Sequence, residues 1–323
     1  VAPLTALALF LVWSNSFVAI SYLLGTEGAA AQMSWVTLAV GRFSVAGATC
    51  ALYCALWRRA ESARVLKLHW RRLLACGLLA VPVYNFGLYY AQANGVAPPI
   101  ASLTTTLVPL FVMILSAVFL GERLNLKQIA GLLVAASGMY LVATARAESL
   151  ELGYPLLLAI AALAPFSWSL VTVLSKPVAG RVSPVVWSFL SVSVGTAMVL
   201  PLLPGATWND LMALDGGGWF ALLYLAWPCV VFGFVVWTWL LRHLPASTVG
   251  FTVFLNPPLT TLSKWVLALT VPAVFTFTVV PREWLGGLVT LTGMALALGA
   301  RPSAGGAGSA APEAVGLTGV NRA

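Results

Sequence analysis

The chain has 323 residues, of which 60% are hydrophobic and 8% charged, with a mean hydropathy of +0.95. A soluble globular domain carries about 25% charged residues, so this composition excludes one and describes a polytopic membrane protein. The net charge of +8 comes from short basic clusters between apolar runs, which is a topology signal and argues against a nucleic-acid face.

Ten apolar runs reach membrane length: residues 4–24, 35–57, 73–93, 98–120, 128–145, 154–175, 184–204, 218–241, 245–267 and 284–300. The expected fold is all-α, with ten transmembrane helices. The first run lacks a basic front and the chain starts with Val, so its true start is expected upstream. A cleaved leader over residues 1–31, ending on Ala29, Ala30 and Ala31, is the competing reading, but the run is long enough to span.

Between the second and third runs lies the basic loop from Arg58 to Arg72. With the N-terminus inside, the inner segments hold Arg58, Arg59, Arg64, Lys67, Arg71, Arg72, Arg123, Lys127, Lys176, Arg181, Arg242, Arg301 and Arg322, thirteen of the 17 basic residues. Only Arg146 and Arg282 fall outside. The acids lean the other way, with Glu27, Glu148, Glu151, Asp210, Asp215 and Glu283 outside and Glu61, Glu122 and Glu313 inside. This asymmetry places both termini in the cytoplasm, in a bacterial-type inner membrane, and dropping one helix would destroy it.

The stretch from Pro98 to Val142 holds two spans around the charged corner Gly121–Glu122–Arg123–Leu124–Asn125–Leu126–Lys127. A second version follows. Setting Lys127–Met139 against Arg282–Met294 pairs Gly131 with Gly286, Gly138 with Gly293 and Met139 with Met294, at an offset of 155. The units expected are a first repeat over 1–147, a second over 148–301, and a Gly/Ala/Ser-rich disordered cytoplasmic tail over 302–323. Five helices per repeat is an odd number, so the copies enter the membrane from opposite sides. Inverted repeats build a site near the midplane and let two halves alternate around it, which points to transport.

The corner Gly121–Glu122–Arg123 after a Pro-containing helix, the glycines Gly131 and Gly138, Trp13–Ser14–Asn15 in the first helix, and Arg42–Phe43 in the second are similar to the EamA-type branch of the drug/metabolite transporter superfamily. The resemblance covers residues 4–300. It implies ten helices, termini inside, a central cavity lined mainly by helices 1, 3, 4, 6, 8 and 9, and export of amino acids, other small metabolites or drugs.

The second half departs from the pattern. Pairing Pro109 with Pro257 gives an offset of 148, so the segment before the tenth helix is seven residues longer and Glu122 falls on Thr270. The stretch 270–283 reads as a tolerated outer loop or as a lid over the cavity mouth. Arg42 lies in the outer third of the second helix, where it is expected to snorkel or to pair with an acid such as Glu27, a structural role. Lys264 follows Pro245 by 19 residues, about 28 Å along a helix, and reads as an interfacial anchor. Glu122 is expected to cap its own corner, on backbone donors or on Arg123 and Lys127.

Helix interiors carry no Asp, Glu or His, so no intramembrane carboxylate relay is expected. Cys50, Cys54, Cys76 and Cys229 read as small hydrophobes, and His69 and His243 as solvated loop residues. No catalytic set or metal cluster is apparent, so neither an enzyme nor a cofactor is expected. The cavity candidates are Trp13 and Asn15 in helix 1; Tyr84, Asn85 and Tyr89 in helix 3; Thr104 and Thr105 in helix 4; Phe166 and Trp168 in helix 6; Trp237 in helix 8; and Asn256 in helix 9. Buried amides are costly in lipid and should face protein or water. Interfacial or lipid-facing packing is the alternative for each aromatic. Pro109 and Pro257 free backbone carbonyls, and Gly131, Gly138, Gly286 and Gly293 form small packing faces. The partners expected are the bilayer and a small-molecule substrate, with no nucleic acid and a homodimer left open. The competing function class is a non-transporting scaffold or receptor with a closed, packed centre.

Overall fold

Apolar runs of this length satisfy their backbone groups internally as helices, and helices are what form. The computed structural model describes residues 1–25, 31–91, 94, 104–123, 125–145, 155–270 and 280–299, and every regular element among them is helical. Glu27, Arg146, Glu148, Glu151, Arg301, Glu313 and Arg322 from the charge count, most of the 270–283 stretch, and the tail lie outside the described residues.

Helix α1 (Ala2–Leu24) ends on Gly25, whose φ of 66° suits a residue without a Cβ. Helix α2 (Trp35–Trp57) starts at Ser34, whose Oγ accepts from the Thr37 amide at 3.1 Å. There follow α3 (Arg59–Tyr90), α4 (Leu107–Leu120), α5 (Leu126–Thr144), α6 (Pro155–Ala179), α7 (Pro184–Gly205) and α8 (Gly216–His243). Helix α9 is assembled from Ala246–Phe251, a tight turn Thr252–Leu255, and Asn256–Thr270; α10 is Pro281–Leu298. Six of these helices, α1, α2, α3, α6, α7 and α8, are long and apolar enough to cross a membrane, and α4 and α5 are shorter apolar helices.

Two boundaries differ from the sequence reading. The basic stretch after Arg58 is helical and forms the start of α3, with a kink at His69 (φ −127°, ψ 17°). Its Ser62 and Val65, one turn apart, are buried while Arg59, Arg64 and Lys67 stay exposed, so one face packs on the bundle and the charges keep their water. Glu283, expected in an outer loop, sits buried in the first turn of α10, where a carboxylate complements the exposed amides.

The repeat is visible as packing. A Cβ on Gly131 would lie 2.6 Å from the Gly293 carbonyl, and one on Gly138 would lie 2.6 Å from the Gly286 carbonyl. Since Gly131 corresponds to Gly286 and Gly138 to Gly293, each glycine meets the counterpart of the other. That exchange is the signature of a twofold relation, and the rising-against-falling order makes α5 and α10 antiparallel. The two helices touch backbone to backbone, as small residues allow.

The other helices cross-pair between halves. Thr196 of α7 donates to the Phe43 carbonyl of α2 at 3.0 Å, and Trp227 of α8 donates its indole to Thr49 of α2 at 3.1 Å. Thr260 of α9 donates to the Ser14 carbonyl of α1 (3.3 Å), and Ser169 of α6 to the Val108 carbonyl of α4 (3.3 Å). Thus α1 packs on α9 and α4 on α6 across the halves, with α5 and α10 packed on each other.

Candidate functional site

The centre is shaped by prolines inside helices. Pro82 interrupts α3 within the widened turn Leu79–Val83, and Pro228 interrupts α8 within Leu225–Phe232. A proline has no N–H to give its preceding turn, so the helix widens and nearby carbonyls splay outward. Side chains of the first half take them up: Arg42 donates its Nε to the Leu225 carbonyl at 3.1 Å, and Trp13 donates its indole N–H to the Cys229 carbonyl at 2.9 Å. The bond is returned by Tyr224, whose hydroxyl donates to the Val12 carbonyl at 2.8 Å.

Between these helices lies a cavity of about 90 Å³. The first half contributes Trp13, Ser16, Phe17 and Ile20 from α1, Arg42 and Phe43 from α2, and Ala80, Tyr84, Asn85, Leu88 and Tyr89 from α3, with Thr105 just before α4 and Val108 in its first turn. The second half contributes Trp168 from α6, Cys229 and Phe234 from α8, and Val253 and Asn256 from α9. Pockets for drug-sized ligands run to about 300–1,000 Å³, so this conformation holds a small solute and a bulkier one needs the wall to move.

One end of the cavity is closed by indoles. Trp13 stands 5.5 Å from Trp168 and from Trp237, and Trp168 stands 5.5 Å from Trp237. Each such pair contributes about 0.5–1.5 kcal/mol beyond its buried area. Trp237 is fixed from behind by donating to the Thr172 hydroxyl at 3.2 Å. Trp13 can pack closely on α8 because Gly233 leaves room: a Cβ there would stand 3.0 Å from Cε2 of the indole.

Beyond this indole layer charges sit on helix ends, Glu122 across the halves and Lys176 within the second half. Oε1 of Glu122 accepts from the Ala246 amide at 2.7 Å, and Oε2 accepts from the Ser247 amide at 3.1 Å and hydroxyl at 2.6 Å. Those amides open α9, so the carboxylate caps a helix of the other half. Lys176 of α6 acts within the second half, donating to the Leu241 and Leu244 carbonyls at the end of α8 (2.6 and 2.5 Å). Both charges complement the helix dipoles they face.

This corrects the reading of Glu122 as the cap of its own corner. Gly121, with a φ of 67°, turns the chain off the axis of α4 and carries residue 122 toward α9. The corner is capped instead by Asn125 and Gln128: the Lys127 amide donates to Asn125 at 2.9 Å, and the Asn125 amide to Gln128 at 3.1 Å.

Of the residues singled out from sequence, Trp13, Tyr84, Asn85, Tyr89, Thr105, Trp168 and Asn256 are on the wall, and Trp237 backs it. Asn15 is not; its amide donates to Leu11 of its own helix at 2.8 Å. Phe166 is 41% exposed and meets Phe111 edge-on, and Thr104 is off the wall. Residues two apart on a helix point about 200° apart, so only one of Trp13 and Asn15, and one of Phe166 and Trp168, can face the centre. Ser16, Phe17, Ile20, Phe43, Cys229, Phe234 and Val253 were not singled out; those on α1 follow Trp13 at steps of three and four, the spacing that marks its face. Arg42, read as an interfacial structural residue, is on the wall as well. Pro109 is buried one turn into α4, and Pro257 follows the tight turn of α9.

The EamA-like transporter family matches residues 2–144 and again 155–299. The chain belongs to that family. Each EamA match supplies part of the wall, and the cavity is formed where the two meet. Among relatives, a protein of Streptantibioticus cattleyicolor named "Probable terminal-alkyne amino-acid exporter" is 28% identical over 285 residues, 88% of this chain and 89% of its own length. A Salmonella typhimurium protein named "Probable amino-acid metabolite efflux pump" is 30% identical over 161 residues, 46% of this chain and 52% of its own. A solved crystal structure aligns over 92% of this chain and 96% of its own with a TM-score of 0.70 at 24% identity, a likeness of fold.

Proposed function

We propose that this EamA-family membrane transporter exports a small metabolite, an amino acid or a related amphipathic or aromatic compound, by alternating access through the central cavity. The observation that carries the reading is the cavity itself: aromatic and apolar walls with a few polar groups, set between two repeats whose helices are broken by prolines at its edge. Such a pocket suits a solute with an apolar body and one or two polar ends. The relatives named as amino-acid exporters support the same class of substrate.

In this reading ten helices cross a bacterial cytoplasmic membrane as two inverted five-helix repeats, 1–147 and 148–301, with both termini and a cytoplasmic tail inside. The positive-inside distribution then puts Glu122, Lys176 and the indole layer on the cytoplasmic side of the cavity. The conformation is closed inward. Opening inward requires the Glu122–α9 contact to part and Trp13 to separate from Trp168 and Trp237, while α5 and α10 hold the repeats together.

The test is expression in a bacterial strain stripped of its own exporters, with metabolomics of medium and cytosol. At least one small amphipathic metabolite should rise outside and fall inside relative to a Trp13→Ala strain of equal expression. Identical profiles for the two strains would contradict the proposal.

A further inference from the structure

Among the described wall residues of the cavity, Arg42 is the only charged side chain. A cation inside a membrane protein is costly, and such residues face a partner, a cavity or a pathway. Arg42 donates Nε to the Leu225 carbonyl at 3.1 Å and Nη1 to the Tyr89 hydroxyl at 2.8 Å. No described carboxylate stands within ion-pair distance of it. A guanidinium has five N–H donors, and these two bonds leave three for another acceptor while fixing the plane of the fork.

Across the same cavity, Asn256 Oδ1 is buried without a hydrogen-bond partner. An orphaned buried amide oxygen is expensive and calls for a donor. Trp13 and Trp168 stand on the wall with it. The two halves of the protein therefore present complementary needs: a fixed cation on α2 in search of an acceptor, and an acceptor on α9 in search of an N–H.

We propose that the substrate binds as a zwitterion, its carboxylate on Arg42 and its ammonium donating to Asn256 Oδ1. The proposal rests on the transport reading above and specifies its substrate as a molecule with both a free carboxylate and a free ammonium group. A guanidinium fork takes a carboxylate through two parallel bonds, which an amide or ester end cannot match. Bridging the cavity also links the first repeat to the second, so that the loaded protein differs from the empty one at the contact that has to change. The apolar walls bear on the side chain, which branches from the carbon that carries both charged groups.

The test uses proteoliposomes of the full chain and indole fluorescence, since Trp13 and Trp168 report occupancy. The probes are alanine, leucine and phenylalanine, each beside its decarboxylated amine and its deaminated acid. Wild type should favour the amino acid over the amine by about tenfold to hundredfold in apparent affinity. Arg42→Gln should erase that preference while leaving the weak affinity for the amine in place, and Asn256→Ala should erase the preference over the deaminated acid. Equal affinity of wild type for amino acid and amine overturns the proposal but leaves transport standing, and this comparison needs no variant to fold. Retained preference in folded Arg42→Gln protein also overturns it. If wild type takes none of the probes, the zwitterion proposal and the amino-acid reading fall together.

Discussion

Removing the Glu122 carboxylate isolates the tie between the halves from the rest of the fold. In Glu122→Ala the Ala246 and Ser247 amides lose acceptors now at 2.7 and 3.1 Å. A hydrogen bond to a charged group contributes about 1.5–3 kcal/mol, and the low end applies because water can reach a part-buried helix start. The pair then comes to about 3 kcal/mol, roughly two decades in an opening equilibrium. Hydrogen–deuterium exchange, read by mass spectrometry on a peptide spanning residues 244–251, should show the first amides of α9 exchanging about a hundredfold faster. Glu122→Gln keeps one acceptor and should give about tenfold. Peptides from α5 and α10 should be unchanged. Unaltered exchange at α9 in folded protein, or faster exchange everywhere, would refute the assignment of Glu122 as a cap across the repeats.

Gly138→Ala forces a Cβ to within 2.6 Å of the Gly286 carbonyl, and a rigid backbone neighbour makes this destabilising by about 2 kcal/mol or more, visible as a lower melting temperature in detergent. Gly233→Ala displaces the Trp13 indole from α8, so transport should fall severalfold while melting changes little; intact transport would show that the indole layer is dispensable. A single cysteine at the exposed Ala63, on the basic helix before the His69 kink, should resist impermeant thiol reagents in intact cells, and ready labelling would invert the topology.

The scaffold was legible because its signals are local and redundant. Apolar length marks the helices, and the glycines at an offset of 155 mark the repeat, whose paired glycines meet in the α5–α10 contact. The cavity was half legible: the helices were identified but not their rotation, so Trp13 was chosen with Asn15 and Trp168 with Phe166, where geometry admits one of each. The destinations of the charges were not legible at all. Glu122 and Arg42 both bond to segments more than a hundred residues away, Glu122 to Ala246 and Arg42 to Leu225, and nothing adjacent in sequence announces either partner. Trp187 of α7 is not on the cavity wall. It is 1% exposed and bonded to Ser175 at 3.1 Å, so its removal would damage the core and it cannot serve as a neutral control. The 71%-exposed Phe220 can.

The most direct test of the central claim is efflux from proteoliposomes loaded with a mixture of the twenty common amino acids, followed by mass spectrometry. Wild type should release at least one of them faster than protein-free vesicles. Asn256→Ala should raise the apparent KM for that solute severalfold, and Phe220→Ala should leave it unchanged. Release by wild type no faster than from empty vesicles, or release that Asn256→Ala and Phe220→Ala alter equally, would contradict an amino-acid pathway through this cavity.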